Sequence, residues 1–140
     1  MILSRIWMVA ACGLLLASSS VNGATDDAAQ GRAIYLQYCA SCHGVSGDGS
    51  GPVARTLKTP PTNLRLLSDL YGNPLQEDKV ARAIDGRAEV AAHGPRDMPV
   101  WGRRFSLKSG GNEQKVRDLI RKLVAYLQTL QTGARSASLK

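Results

Sequence analysis

Cys39-Ala40-Ser41-Cys42-His43 is the stretch from which the rest of this chain is read. Two thiols three residues apart share one turn of a helix, and an imidazole directly follows the second, which is the attachment geometry of a c-type haem. Each thiol can add across one porphyrin vinyl group to form a thioether, while the next residue presents a ring nitrogen to the iron. Cys39 and Cys42 are therefore the candidate cofactor-binding residues and His43 the candidate proximal ligand. A thioredoxin-like dithiol uses the same spacing, but it belongs beside a βαβ pattern, and nothing here alternates strands with helices. A zinc site needs four ligands, and outside the first two dozen residues only Cys39, Cys42, His43 and His93 are of the Cys/His type. A disulfide across one turn would constrain almost no chain and stabilise little. Zinc and dithiol chemistry stay as the alternatives to haem.

The length of 140 residues suits one domain. Its start reads as a cleavable signal peptide over residues 1–24: Arg5 supplies a positive n-region, Ile6 to Ala17 an apolar h-region, and Val21-Asn22-Gly23 small residues for a cut near Gly23 or Ala24. The apolar run falls short of the ~20 residues that span a bilayer, and Ser18-Ser19-Ser20 breaks it. The expectation is export to the periplasm, with no transmembrane segment in the mature chain. Val9-Ala10-Ala11-Cys12 has the shape of a lipoprotein cleavage box, yet the richest apolar run follows Cys12 instead of preceding it. Membrane tethering through Cys12 is the lesser alternative.

Without the leader, two cysteines remain, both in the motif, and one methionine, Met98. Only Arg5 is lost among charged residues, so the net charge falls from +7 by one, to +6. A basic exported protein implies partners with acidic docking surfaces. Nucleic acid is excluded as a partner, because no recognition motif accompanies the charge and the compartment is wrong.

Helical patterns fill most of the mature chain. The first is expected from Thr25 to Cys39, capped by Thr25 or Asp27, with Ile34, Tyr35 and Tyr38 on its apolar face. Gly31 lies one turn before Tyr35; a helical glycine costs about 1 kcal/mol against alanine and marks a close approach by another element. Gly44 to Pro61 reads as a loop, a length that something other than secondary structure must hold, such as a haem edge. Asn63 caps a short helix carrying Leu64, Leu67 and Leu70. Asn73-Pro74-Leu75-Gln76 reads as the opening of another, with Leu75, Val80, Ala83 and Ile84 inward and Gly86 at its end. The last runs from its cap Asn112 to the stop at Gly133, with Val116, Leu119, Ile120, Leu123, Leu127 and Leu130 at helical spacing. No run alternates with period two. The fold class is all-α, with a small core that a covalent porphyrin would complete.

Between Gly94 and Gly102, Met98 precedes a proline and so sits in extended or turning backbone. Its thioether is a soft neutral donor suited to haem iron, and His/Met ligation raises the reduction potential. A lone methionine is more often core filler, but the attachment motif shifts that balance toward a ligand.

In these residues the chain resembles class I c-type cytochromes of the bacterial soluble, monohaem kind. Their attachment motif ends the first helix, and their distal methionine comes late in a Met-Pro-x-Trp-Gly segment, matched here by Met98, Pro99, Trp101 and Gly102. The resemblance runs from about Gly31 to Leu130 and implies a small helical fold around one covalent haem c with its iron, His43 and Met98 as axial ligands. Residue by residue, Gly31 and Tyr35 resemble the pair at which the first helix crosses the last, with Tyr126 opposite. Pro52 resembles the proline whose carbonyl accepts a hydrogen bond from the proximal histidine, and Trp101 the tryptophan packed near the haem and its propionates. His93 reads as a loop histidine, with distal ligation in some states as the alternative.

The organisation expected is a signal peptide over 1–24, one monohaem cytochrome c domain over 25–132 and a flexible basic tail over 133–140. The function implied is that of a periplasmic single-electron carrier, not an enzyme. The alternatives are a haem enzyme or ligand sensor in which Met98 is weak, and an electron-entry subunit of a larger redox complex.

Overall fold

The structure, a computed structural model, describes residues 22–88 and 98–132. Residues 1–21 of the expected leader, with Cys12, the segment containing His93 and Arg96, and the tail with Gly133 lie outside the described residues. All regular structure among those described is helical: α1 (Asn22–Tyr38), α2 (Ala40–His43), α3 (Leu67–Tyr71), α4 (Glu77–Asp85), α5 (Trp101–Lys108) and α6 (Glu113–Leu130). Single 3-10 turns at Ala54–Thr56 and Leu64–Leu66 punctuate the long connection, and the second runs on into α3.

Two long helices, α1 and α6, cross at the centre of the fold. Gly31 is the crossing point, since a Cβ there would collide with the Lys122 backbone carbonyl. One turn on, the Tyr35 ring meets the Tyr126 ring at 5.2 Å between centroids, and its hydroxyl donates to the Gly44 carbonyl at 2.6 Å. That bond carries the crossing's geometry directly to the end of α2. Burial of the phenol, with Cys39 nearby, raises its pKa well above the ordinary value, so it stays a hydrogen-bond donor. Arg121 of α6 closes the rim by pairing with Asp27 of α1. Asp27 is therefore inside α1 and bound to α6, not a cap: the helix begins at Asn22, earlier than its acidic residues suggested.

The core that α6 covers consists of Val116, Ile120, Leu123, Val124, Tyr126 and Leu127, joined by Val80 and Ile84 from α4 and Trp101 and Phe105 from α5. Asn112 caps α6 as expected, its side chain accepting from Lys115 N at 3.0 Å. The helix ends at Leu130, where buried Gln131 takes over. Its Oε1 accepts from Ser68 N at 3.1 Å, and its Nε2 donates to the carbonyls of Leu64 (2.8 Å) and Leu127 (2.7 Å). One amide thus satisfies groups on three segments and locks the end of α6 to α3; an unpaired buried amide would cost several kcal/mol instead.

Two expected details are corrected. Asn73-Pro74 does not open α4; it lies in a turn, and the helix starts at Glu77, where Glu77 and Asp78 favour the positive end of the helix dipole. The segment after Met98 is not extended throughout, because Trp101 begins α5, whose eight residues include a glycine and are too few for periodicity to reveal.

Candidate haem-binding site

The attachment motif occupies the turn between α1 and α2, with Cys39 at the junction and Cys42 and His43 in the last turn of α2. Behind it, the glycine-rich loop is held by backbone hydrogen bonds. Gly49 N donates to the His43 carbonyl at 2.8 Å, Gly51 N to Cys42 O at 3.1 Å, Val53 N to Ser41 O at 3.0 Å and Leu64 N to Gly47 O at 2.7 Å. Gly51 must be glycine, since a Cβ there would overlap the Cys42 carbonyl group, 2.6 Å away.

One open cavity of about 550 Å³ lies in front of the motif. Cys39, Cys42 and His43 line one side; Met98, Pro99 and Trp101 line it from a segment 98 − 43 = 55 residues downstream of His43; Leu57, Pro60, Pro61 and Thr62 contribute from the long connection. Both thiols are free and half-buried. Burial, with the neighbouring Cys42, pushes the Cys39 thiol up to about 12, so it is held as a thiol, the species whose S–H adds across a vinyl double bond.

His43 Nδ1 lies 3.0 Å from the Thr62 carbonyl oxygen. A carbonyl only accepts, so Nδ1 carries the proton and donates, which leaves Nε2 with its lone pair for a metal. Burial pulls the imidazole pKa below its ordinary value, opposed in part by the Thr62 bond, and keeps the ring neutral. An orienting carbonyl of this kind fixes both tautomer and ring plane. It is not that of Pro52, which is exposed at the bend between the two backbone bonds of Gly51 and Val53. The signal overlooked in the sequence is Pro60-Pro61, two residues without N–H groups and with φ restricted by their rings, immediately before Thr62.

Trp101 forms a wall of the cavity next to the attachment cysteines. Its ring meets that of Tyr38, the residue before Cys39, edge-on at 5.6 Å, and stacks at 5.7 Å on Phe105, which the sequence had not singled out. The Arg104 guanidinium lies 5.3 Å from the Trp101 ring centroid at the cavity's edge, and Lys108 donates to the Tyr38 hydroxyl at 2.8 Å. Of the six sequence-derived site residues, Cys39, Cys42, His43, Met98 and Trp101 meet at one cavity and Pro52 does not. Among the described residues no cluster of three or more His, Cys, Asp or Glu side chains is placed to hold a metal ion. The two thiols, imidazole and thioether that line the cavity are the donor types that a covalently attached haem and its iron take.

No helix among the described residues is long and apolar enough to cross a membrane. No curated protein and no solved structure matches the chain significantly. A family model does, described as cytochrome C oxidase, cbb3-type, subunit III, and it covers residues 26–127, from early α1 nearly to the end of α6. The chain thus belongs to this family of monohaem class I c-type cytochrome domains, which hold haem c and its iron covalently and serve haem-based electron transfer.

Proposed function

We propose that this chain is a periplasmic single-electron carrier in which Cys39 and Cys42 hold the haem covalently and His43 and Met98 are its axial ligands. One observation carries the reading: a thiol pair, a neutral imidazole with a free Nε2 and a thioether, scattered over 98 − 39 = 59 residues, line the same cavity. Haem in such a site supplies one-electron chemistry at its iron. The chain's own work would be to ligate that iron through His43 and Met98 and to shield the ring from water with Leu57, Pro60, Pro61, Pro99 and Trp101, all of which line the cavity. Export is supported by the Arg5 n-region and the Ile6 to Ala17 run. The test is the ferric wild-type protein: a weak near-infrared sulfur-to-iron band and no rapid carbon monoxide binding in the ferrous state are expected. Absence of the band with rapid carbon monoxide uptake would replace the carrier with a haem enzyme or sensor.

The partner we propose is acidic. Arg103 and Arg104 are exposed on α5, Arg104 at the edge of the cavity, and with Lys108 they form no ion pair among the described residues, whereas Arg82, Arg87, Arg121 and Lys122 are each matched to a carboxylate. Electron transfer to an acidic redox protein should slow steeply as salt rises from 0.01 to 0.15 M, while the Debye length falls from ~30 to ~8 Å. Reversal of both arginines to glutamate should remove most of that dependence. A wild-type rate that is flat with salt and indifferent to the reversal would take α5 out of the docking surface. The same kinetics separate a free carrier from an electron-entry subunit of an oxidase, the reading that the family's description favours: a carrier's rate scales with partner concentration, a resident subunit's does not.

A further inference from the structure

The chain leaves α4 at Asp85-Gly86-Arg87 and returns at Met98, 98 − 87 = 11 residues later. Eleven residues can reach ~36–40 Å when extended, so the length of this segment does not place the methionine; its anchors must. Those anchors converge on one guanidinium. Arg87 Nε donates to Asp85 Oδ1 and its Nη2 to Asp85 Oδ2, each at 2.8 Å, while Nη1 donates to both Glu113 oxygens at 3.0 and 2.8 Å. Glu113, the first residue of α6, also accepts from Ser106 Oγ of α5 at 3.1 Å. Gly102, four residues after Met98, presses its bare backbone onto the pair: a Cβ there would come within 2.6 Å of Arg87 Nε and overlap the Asp85 carboxylate. The exit of α4, the first turns of α5 and the start of α6 are thereby gathered at one point.

We propose that Arg87 is a positioning residue for Met98, clipping together the two ends of the segment that carries the methionine to the haem. The inference rests on the His43/Met98 ligation given above. A single exposed ion pair contributes at most ~1 kcal/mol. Here the planar fork engages two carboxylates at once, with side-chain exposures of 34% for Arg87, 25% for Asp85 and 45% for Glu113, and a glycine lets a third segment close over it. Each carboxyl lies below its ordinary pKa chiefly through its hydrogen bond to Arg87, so both acceptors are charged at neutral pH. An internal ligand outcompetes a dissolved one by its effective concentration, and that concentration falls when its anchor loosens.

Imidazole, an external nitrogen ligand for ferric haem, is the probe. Its half-saturating concentration is read from loss of the near-infrared sulfur-to-iron band in the intact holoprotein. Arg87→Gln and, independently, Glu113→Gln should each bind imidazole about tenfold more tightly than wild type as the methionine's effective concentration drops. Arg87→Lys, which keeps the charge but loses the fork, should fall between. Arg82→Gln, which breaks only the exposed α4 pair with Asp78, should stay within about twofold of wild type. A wild-type band together with wild-type imidazole affinity in both Arg87→Gln and Glu113→Gln overturns this inference alone. A wild-type protein with no such band overturns the ligation itself, and the clip with it.

Discussion

Chains carrying Cys39→Ser together with Cys42→Ser are expected to show no haem-stained band after denaturing electrophoresis, whereas the wild-type chain keeps its haem through denaturation and through extraction with acidified organic solvent. A hydroxyl does not add to a vinyl group under the conditions in which a thiol does, so the serine pair loses both thioethers while changing one atom in each side chain. The consequence should reach the fold. Leu57, Met98 and Trp101 line the cavity that the ring would fill, and without it each would lose part of the ~1.5–3 kcal/mol that burying a large apolar side chain is worth. Against the ~5–15 kcal/mol that holds a domain of this size, a loss of ~3 kcal/mol would lower the thermal midpoint by about 12 °C or more. Circular dichroism at 222 nm during heating reads this. A double-serine chain that still stains for haem, or that melts with the wild type, would show that the thiols are not its attachment points.

Met98→Ala should have the second large effect, and a different one. The haem should stay covalent and staining unchanged, but the iron should lose the ligand proposed for it, which a methyl side chain cannot replace. The near-infrared band should disappear, carbon monoxide and cyanide should bind where wild type excludes them, and the reduction potential should fall by on the order of 0.1 V or more, within the ~0.8 V range over which axial ligation moves haem potentials. Because Met98 is only partly buried against the core, the stability cost should be small next to that of the serine pair. A variant that keeps the band and excludes carbon monoxide would mean that the sixth ligand comes from elsewhere in the chain. The contrast between the two substitutions separates attachment from ligation, which no single variant does.

What could be read in the residues alone was whatever depends on short range. Two thiols and an imidazole within five positions, an asparagine before a run of inward aliphatics, and a glycine one turn ahead of a tyrosine all carry their meaning locally, and the motif, the Asn63 and Asn112 caps and the Gly31 crossing stand in the structure as expected. The helical spacing of Val116, Ile120, Leu123 and Leu127 also marked the buried face of α6, because a period of 3.6 over five turns has no competing explanation.

Tertiary structure decided what depends on which distant backbone arrives beside a given side chain. A carbonyl acceptor has no residue identity, so nothing in the sequence distinguished Thr62 from Pro52 as the partner of His43; the course of the loop between them made the choice. The start of α4 could not be placed from its capping pattern, because the Asn73-Pro74 pattern serves a turn equally well. The short α5, with a glycine at its second position, gave too little periodicity to be seen, yet its Phe105 is among the most buried side chains. Arg87 reads as one more surface cation until Asp85, Gly102 and Glu113 surround it. Local chemistry named the groups that would hold a haem; only the packing of α4, α5 and α6 determined that Met98 and Trp101 face the motif across one cavity, because that approach is made by residues that carry no haem chemistry of their own.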